Sequence, residues 1–327
     1  MLELPVRLEQ ILDAAQNINP YIKHTPLIRN ESLDNILECS TYFKPECLQY
    51  TGSFKARGAV NKLLSLTNKE KNGGVITASS GNHAQGVAYA GKILGVPVTV
   101  VLPEDVAEIK LNGCRALGAE IIKHGHTSAE RRAKAEEIKN ESGLVSIHSY
   151  DDPAIIAGQG TAGLEILIDL DDADCIVVPV GGGGLISGIA AAVKEKRPKT
   201  RVIGVEPSLF PRYTKSLKEG RPSVIETQNS QDTCADALKA AKAGINNFEL
   251  IKRYVDEIVT VDDDFIIQAF ELIALSAKLL AEPSSCVGVG AALSGKIKFS
   301  RDEKVVFLLS GGNVDKEKII KYLTVAK

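Results

Sequence analysis

"CIVVPVGGGGLISGIAAAVKEKRP" (residues 175–198) runs from a short apolar segment through four glycines into an alanine-rich segment. Val and Ile without polar alternation are typical of a strand buried on both faces of a parallel sheet. Glycines before a helix let the backbone approach an anion, and the helix N-terminus offers free N–H groups and the positive end of its dipole. The stretch therefore predicts an α/β fold with a phosphate-binding loop.

The same plan recurs elsewhere in the chain. Residues 73–95, "GGVITASSGNHAQGVAYAGKILG", indicate strand, loop and helix, and residues 96–103 indicate the next strand. Residues 304–313, "KVVFLLSGGN", indicate a strand that ends in another glycine loop. Alternating strands and helices favour a parallel sheet with right-handed crossovers. Ligands of such folds bind at the carboxyl ends of the strands, so we expect the three loops to share one pocket.

The spacing of these units also indicates a domain organisation. The compact units between residues 73 and 148 predict a small lobe, and residues 1–72 and 149–327 predict a large one. Within the small lobe, a helix is expected between Thr127 or Ser128, as N-cap, and Gly143, as the residue that ends it.

The composition excludes several classes of protein. The 327 residues are 44% hydrophobic and 24% charged, as in ordinary globular proteins. The net charge is −2 and no long basic run occurs, so neither nucleic acid nor an anionic membrane is an expected partner. No apolar stretch reaches the roughly 18 residues of a membrane span. Six cysteines without a C-x-x-C pair argue against a disulfide framework and a zinc site, and we expect a cytoplasmic protein.

The tetraglycine loop lacks the sequence motifs of nucleotide-binding loops, and this limits which phosphate compound it can bind. A dinucleotide site needs G-x-G-x-x-G, but the two registers of these glycines end on Ile186 and on Ser187. The G-K-[ST] ending of a nucleotide triphosphate loop is also absent. A single terminal phosphate is therefore favoured. A nucleotide-binding oxidoreductase stays open as an alternative, because Glu206 follows at the distance of a ribose-binding acid.

Three further motifs carry polar groups that fit a binding site. "TGSFKARGA" (51–59) places Lys55 among small polar residues, and "SGGN" (310–313) places Ser310 at a strand end. "SSGNHAQG" (79–86) opens a helix with groups that bind a carboxylate or another anion. A helix cap explains this last segment equally well, and His83 is equally explained as a structural histidine.

Together these motifs supply what pyridoxal 5'-phosphate requires: a lysine for its aldehyde and partners for its phosphate, phenolic oxygen and ring nitrogen. The chain resembles the serine/threonine dehydratase and serine racemase family from "HTPL" (24–27) to "SGGNVD" (310–315). The resemblance implies pyridoxal phosphate fold type II, the tryptophan synthase β-like fold. Its two lobes each contain a mainly parallel sheet flanked by helices. It also implies a homodimer.

The resemblance assigns roles to individual residues. Lys55 corresponds to the Schiff-base lysine, Asn82 to the partner of the phenolic oxygen and Ser310 to the partner of the ring nitrogen. The implied cofactor-binding residues are Phe54, Lys55, Asn82, Gly181, Gly182, Gly183, Gly184, Leu185 and Ser310. The implied substrate-binding residues are Ser79, Ser80, Gly81, Asn82, His83 and Arg131, with Arg132 as an alternative to Arg131.

The implied activity is the conversion of L-threonine, L-serine or a related hydroxy-amino acid to the oxo acid and ammonia, with Lys55 as the base that removes the α-proton. Serine racemases and hydroxyaspartate dehydratases carry serine at the position of Ser80, where many threonine dehydratases carry alanine. Ser80 on the face opposite Lys55 would return a proton with inverted configuration, so an amino acid racemase is the alternative. Ala237, where racemases often have glycine, slightly disfavours a purely racemase assignment. A non-catalytic amino-acid-binding relative is a third reading.

The metal loop of the family is altered in this chain. Family members usually carry an acid six residues after the glutamate of "GVEP", and this chain has Glu206 followed by Arg212 at that position. The sequence therefore predicts no metal site and argues against a bound Mg²⁺ or Ca²⁺.

Overall fold

The computed structural model describes residues 4–79, 81–106, 108–225 and 232–325. Its strands are β1 (Ile28–Arg29), β2 (Ser40–Pro45), β3 (Val75–Ala78), β4 (Val98–Leu102), β5 (Glu120–Lys123), β6 (Val145–Ser146), β7 (Cys175–Pro179), β8 (Arg201–Pro207), β9 (Glu257–Val261) and β10 (Lys304–Leu309). Its helices are α1 (Leu8–Ile18), α2 (Asp34–Leu37), α3 (Lys55–Leu64), α4 (Asn68–Gly73), α5 (Asn82–Leu94), α6 (Glu108–Ala116), α7 (Ser128–Ser142), α8 (Pro153–Asp169), α9 (Gly184–Lys196), α10 (Arg212–Glu219), α11 (Ile245–Tyr254), α12 (Asp263–Leu272), α13 (Pro283–Leu293) and α14 (Lys316–Val325).

The larger sheet has the strand order β1-β2-β10-β7-β8-β9, and its pairs are parallel except for β1 with β2. Val306 and Leu308 of β10 pack into the core shared with α1, α8, α9 and α11. Val305, Phe307 and Leu309 pack into the opposite core, with α2, α12, α13 and α14. Both faces of the strand are buried, which explains its uninterrupted apolar sequence. The predicted α/β architecture is confirmed.

The smaller sheet has the order β5-β4-β3-β6, with every pair parallel. Helices α5 and α6 cover one face, and α7 packs on the other against Ile76 and Val101. The predicted ends of α7 are confirmed. The Thr127 side chain accepts a hydrogen bond from the N–H of Glu130, and Gly143 ends the helix at φ +74°. The division into lobes at residues 73 and 148 stays a prediction.

Helix α3 connects the two parts of the molecule because it packs against both α5 and α8. Ala59, Val60 and Leu63 of α3 share a core with α5 and β4. The first residue of this helix is Lys55, so the position of the lysine depends on both sheets. All six cysteines are free thiols. In the residues that the structure describes, no helix is long and apolar enough to cross a membrane.

Candidate active site

A cavity of about 340 Å³ lies between the two sheets, where β3, β7 and β10 end. The expected meeting of the three loops is confirmed, since residues of all of them line the cavity. The described residues predicted for the site all belong to its wall: Phe54, Lys55, Ser79, Gly81, Asn82, His83, Arg131, Gly181, Gly182, Gly183, Gly184, Leu185 and Ser310. Ser80 lies outside the described residues.

Lys55 projects from the first turn of α3 into this cavity. Its Nζ donates a hydrogen bond to the carbonyl oxygen of Ser149 at 2.7 Å and lies 5.0 Å from the centre of the Phe54 ring. Burial lowers the pKa of the Lys55 ammonium to about 8, although the charge of Glu282 opposes the shift. A substantial fraction of the amine is therefore neutral near pH 8, as a nucleophile or base requires.

Helix α3, which begins at Lys55, is held in place by a buried ion cluster. The cluster consists of Arg57, Glu46, Glu165 and Lys44. The Arg57 guanidinium binds both oxygens of Glu46 and both oxygens of Glu165, at distances of 2.6–2.8 Å. Lys44 Nζ lies 2.7 Å from Glu165 Oε2. Arg57 is fully buried two residues after Lys55, so its bidentate contacts restrain the start of α3.

Two tyrosine side chains pack against the tetraglycine loop. A Cβ at Gly182 would lie 2.2 Å from two ring carbons of Tyr150. Gly183 has φ +97°, and a Cβ there would lie 2.3 Å from the hydroxyl oxygen of Tyr213. These two positions accept only glycine, for steric reasons and, at Gly183, also because of its backbone conformation.

The carbonyl groups of the loop are held by side chains. Gly181 O accepts a hydrogen bond from Arg212 Nη1 at 2.7 Å. Gly182 O accepts from Tyr213 Oη at 2.7 Å and from Asn247 Nδ2 at 3.2 Å. The N–H groups of the first turn of α9 have no carbonyl partner within the helix. The loop thus combines fixed carbonyls with amides that have no carbonyl partner within their helix, which is the arrangement of a phosphate site.

Ser310 follows β10 and is buried on the cavity wall. Its Oγ lies 3.0 Å from Ser285 Oγ, and its carbonyl accepts a hydrogen bond from the N–H of Phe54 at 3.0 Å. Ser285 also donates to the carbonyl of Gly311 at 2.7 Å. Ser310 is therefore a neutral, oriented hydroxyl.

Asn82 is held at both ends of its amide. Its Nδ2 donates to Glu282 Oε1 at 2.7 Å, and its Oδ1 accepts from Asn313 Nδ2 at 2.9 Å. Glu282 itself lines the cavity, and its Oε2 has no partner in the described part of the chain. Burial raises the pKa of the Glu282 carboxyl to about 7.

Sequence reasoning missed Glu282. The one available signal is an acid in the otherwise uncharged segment "AEPSSCVGVGAAL" (281–293), directly before the Pro that opens α13. Acids at that position commonly serve as helix caps, and nothing local distinguishes a cap from a cavity residue. Its contact with Asn82 joins residues 200 positions apart.

His83 lies in the first turn of α5 with a buried ring. Its Nε2 lies 3.3 Å from the carbonyl oxygen of Ile147, and its Nδ1 has no partner among the described residues. Burial, and next the charge of Lys55, lowers its pKa well below the ordinary value. The imidazole is therefore neutral near pH 7. Ser79 Oγ accepts a hydrogen bond from the N–H of Gly81 at 3.3 Å, which shapes the turn before α5.

Cationic and acidic side chains share the wall formed by the smaller sheet. Arg131 and Arg132 of α7 both line the cavity, as do Lys110 and Glu136. The Arg131 guanidinium donates to the carbonyl of His126 at 3.2 Å and to Ser128 Oγ at 3.1 Å. Its hydrogen-bond partners are neutral, and Asp105 and Glu130 act on its charge only from a distance. Together with Arg132 and Lys110 it makes this wall favour anionic ligand groups.

Glu206 does not face the cavity, contrary to the ribose-binding position that the nucleotide alternative needs. Its Oε1 accepts the N–H of Tyr213 at 2.9 Å, and its Oε2 accepts the N–H and hydroxyl of Thr214 at 3.0 Å. Glu206 thereby caps the N-terminus of α10 and is fully buried. The nucleotide-binding alternative loses the residue that supported it.

Comparisons with known proteins give one coherent picture. The profile of a family described as pyridoxal-phosphate dependent enzyme matches residues 18–311. The L-threonine ammonia-lyase of Thermotoga maritima is 42% identical over 310 residues, which cover 95% of this chain and 76% of that protein. Maize serine racemase has a similar structure, with a TM-score of 0.91, 34% identity and 98% of both chains covered. The processed form of threonine deaminase isoform 2 from Solanum lycopersicum gives a TM-score of 0.90 and 37% identity, covering 97% of this chain and 92% of that one.

Proposed function

The chain belongs to the family of pyridoxal-phosphate dependent enzymes, and on this basis we propose that it is an ammonia-lyase that converts L-threonine, L-serine or a related hydroxy-amino acid to the oxo acid and ammonia. The observation that carries the proposal is the meeting of Lys55, the tetraglycine loop and Ser310 in one cavity. Relatives named for threonine deamination support the choice of reaction.

The residues around the cavity fit pyridoxal phosphate. The four glycines line the cavity and carry no side chains that would cover their backbone, so a phosphate group can approach the N–H groups of the loop. Lys55 offers an amine to the aldehyde, and Ser310 offers a hydroxyl to the ring nitrogen. Asn82 Nδ2 carries two N–H groups and donates one to Glu282, so within the part of the chain that the structure describes the other is available to the phenolic oxygen.

The chain itself supplies substrate binding and proton transfer. Ser79 and the N–H groups at the start of α5 bind the substrate carboxylate, which favours the positive end of a helix. Pyridoxal phosphate, held by Lys55, the tetraglycine loop, Asn82 and Ser310, would supply the electron withdrawal that makes the proton on the substrate Cα acidic. Lys55 Nζ removes the proton from that Cα. The proton removed by Lys55 balances the one that the β-hydroxyl needs to leave as water, and addition of water to the resulting enamine yields the oxo acid and ammonia.

The direct test measures oxo acid and ammonia release from L- and D-serine, L-threonine and both hydroxyaspartates, with the wild type and two lysine variants. Lys55→Ala removes the amine that bonds the cofactor and accepts the proton, so turnover and the visible absorbance of the bound cofactor should both be lost. Lys62→Ala is the matched control, because Lys62 lies on the same helix but pairs with Asp152.

The variants give distinguishable outcomes. Borohydride treatment of the wild-type holoenzyme should label Lys55 and leave Lys62 unlabelled. Undiminished oxo acid release by Lys55→Ala would contradict the role of this lysine, and a wild type that binds the cofactor without turnover would favour an amino-acid-binding protein.

Racemisation is the second candidate function, and the similarity to maize serine racemase favours it. It needs a proton donor on the face opposite Lys55, and Ser80 is the hydroxyl that the family resemblance assigns to that face. Elimination from the L-substrate does not need this donor.

Ser80→Ala separates the two reactions. The variant should retain L-serine or L-threonine dehydration within about tenfold and lose about a hundredfold or more of racemisation, the usual effect of removing a positioned acid–base group. Chiral analysis of serine beside oxo acid measurement reports both activities in one sample. An equal fall in both would assign Ser80 to substrate binding and remove the main support for the racemase.

Three finer expectations belong to the same proposal: a homodimer, a location in the cytoplasm and the Schiff-base link at Lys55. The family resemblance supports the first, and the six free thiols agree with the reducing conditions of the second. The lowered pKa of Lys55 supports the third.

A further inference from the structure

Arg212, the first residue of α10, is fully buried, and its hydrogen bonds go to backbone carbonyls. Nη1 donates to Gly181 O at 2.7 Å, and Nη2 donates to Phe210 O at 2.8 Å and Leu238 O at 2.6 Å. Among the residues that the structure describes, Arg212 forms no ion pair within 4.0 Å. Burial lowers its pKa, but a guanidinium remains charged in proteins.

The three carbonyls come from separate segments of the chain. Gly181 opens the tetraglycine loop, Phe210 lies in the turn after β8, and Leu238 ends a short 3-10 helix on the cavity wall. Buried carbonyls without a partner are costly, so one side chain satisfies and joins all three segments. Because Gly181 O points toward Arg212, the orientation of the peptide that enters the loop depends on this contact.

Backbone carbonyls gathered around one positive charge, with a carboxylate nearby, form the type of oxygen-rich site that binds Mg²⁺ or Ca²⁺. The residues here do not fit such an ion. Both oxygens of Glu206 accept hydrogen bonds from Tyr213 and Thr214, and the carbonyls of Phe210 and Leu238 are bound to a guanidinium. An added cation would also meet the charge of Arg212.

We propose that Arg212 is an internal cation that replaces a divalent ion and holds the tetraglycine loop in its phosphate-binding shape. The inference rests on the proposed function, because it takes the loop to be the binding site of the cofactor phosphate. Arg212 touches no reacting atom, so it is a positioning residue, and its removal should weaken phosphate recognition specifically.

Titration of the apoenzyme with pyridoxal phosphate and with pyridoxal, which lacks the phosphate, tests this specificity. Arg212→Gln should weaken pyridoxal phosphate binding by about tenfold or more, because a charged hydrogen-bond donor is lost. Its affinity for pyridoxal should stay within about twofold of the wild type. The pyridoxal phosphate affinity of Arg212→Lys should lie between those of the wild type and Arg212→Gln, because an ammonium keeps the positive charge but not the planar, forked arrangement of donors.

Arg29→Gln is the matched control. The Arg29 guanidinium also donates to a backbone carbonyl, that of Thr41 at 3.1 Å, but it lies on β1 and pairs with Asp34. This variant should bind both ligands as the wild type does. Equal pyridoxal phosphate affinity in the wild type and Arg212→Gln would overturn the inference about Arg212 but not the proposed function. A wild type that binds no pyridoxal phosphate would overturn the proposed function.

Thermal unfolding tests whether the Arg212 guanidinium takes the place of a divalent ion. The Tm of the wild-type holoenzyme should change by less than about 1 °C with EDTA, Mg²⁺ or Ca²⁺, because no ion binds the folded state selectively. Arg212→Asp places a carboxylate beside the freed carbonyls, so Ca²⁺ should raise its Tm and improve its pyridoxal phosphate affinity in a saturable manner. A saturable, EDTA-reversible rise in the Tm of the wild type, or an Arg212→Asp variant that folds but ignores Ca²⁺, would contradict the inference. If Arg212→Asp does not fold, the Arg212→Gln titration decides.

Discussion

Lys55 and Glu282 line the same cavity, and burial shifts each of them toward its neutral form. The pKa of the lysine falls to about 8 and that of the glutamate rises to about 7. Such opposed shifts, each caused mainly by desolvation, are typical of sites where protons are exchanged. Near neutral pH, small changes in the surroundings of either group therefore change its protonation state.

The burial of Glu282 predicts a pH dependence of stability. Its folded pKa of about 7 exceeds the ordinary value of 4.5, so its stabilising effect is complete below pH 4.5 and is lost as the pH rises through 7. This group alone lowers the free energy of unfolding of the apoenzyme by about 3 kcal/mol over that range. Glu282→Gln cannot ionise and should lack that part of the pH dependence. Denaturant unfolding of the apoenzyme at pH 5 and pH 7.5 measures the difference.

Charged residues near Glu282 also influence its pKa and therefore the outcome of this measurement. Lys110 and Lys318 lower its pKa, whereas Asp236 raises it. Lys55, whose pKa is about 8 in the folded protein against an ordinary value of 10.5, changes its ionisation mainly above pH 7.5, so it does not disturb the comparison. Glu257→Gln, an exposed change on β9, should keep the wild-type pH dependence. An unchanged pH dependence in Glu282→Gln would contradict the assignment.

At the scale of elements, the sequence predicted the strands that end in loops. The apolar runs of β3, β7 and β10 and the glycines after them carry enough local information to place the loops at one edge of each sheet. Thr127 and Gly143 mark their helix ends for equally local reasons.

The contacts that shape the tetraglycine loop could not be predicted. Tyr150, Arg212 and Asn247 reach it from 31 to 65 residues away in sequence. They lie in segments whose own patterns indicate only loops and helix starts. The sequence shows that Arg212 stands where an acid is expected, but its three carbonyl contacts depend on the tertiary structure.

Gly182→Ala should block the loop. The added Cβ would lie 2.2 Å from Tyr150 ring carbons that are close to that residue's backbone, so a simple rotation does not relieve the clash. Overpacking of this kind should weaken pyridoxal phosphate binding by about tenfold or more. Titration of the apoenzyme measures it.

Gly73→Ala is the control for the glycine change, because a Cβ at this helical position meets no atom within 4 Å. It should bind the cofactor as the wild type does and should not lose stability. Wild-type affinity in Gly182→Ala would show that the loop tolerates a side chain and would argue against its role as the phosphate site.

At the scale of the whole molecule, the cavity depends on contacts between its two sides. Lys110 of α6 lies 3.5 Å from Asp236, which also pairs with Lys318 of α14 at 3.0 Å. The smaller sheet contributes Arg131, and the larger sheet contributes the tetraglycine loop. We therefore expect both sides to contribute to substrate binding.

Arg131 is expected to reach the substrate when the two sides approach each other. Arg131→Ala should lower kcat/KM by about tenfold or more, mainly through KM, because a charged contact to an anionic group is worth at least this much. The visible absorbance of the bound cofactor should not change. Steady-state kinetics with L-serine and L-threonine measures the effect.

Arg132→Ala provides the comparison, since Arg132 lines the same cavity one residue further along α7. It should change kcat/KM by less than about threefold. If Arg132→Ala is the more damaging substitution, the role belongs to Arg132, and Arg131 serves the structure of α7 through His126 and Ser128.

The buried ion cluster behind Lys55 limits how the sequence can diverge. Arg57 binds two carboxylates without exposure to water, so the loss of Arg57, Glu46 or Glu165 alone leaves an uncompensated charge in the core. Such a loss costs about 3–5 kcal/mol, whereas exchange of the whole set for apolar residues is often neutral. Because Lys44 is buried and pairs with Glu165 as well, descendants of a common ancestor should keep all four residues of the cluster or replace all four, and lineages with a mixed set should be rare. The residues of this active site that change most slowly among relatives should then be ones that contact no ligand.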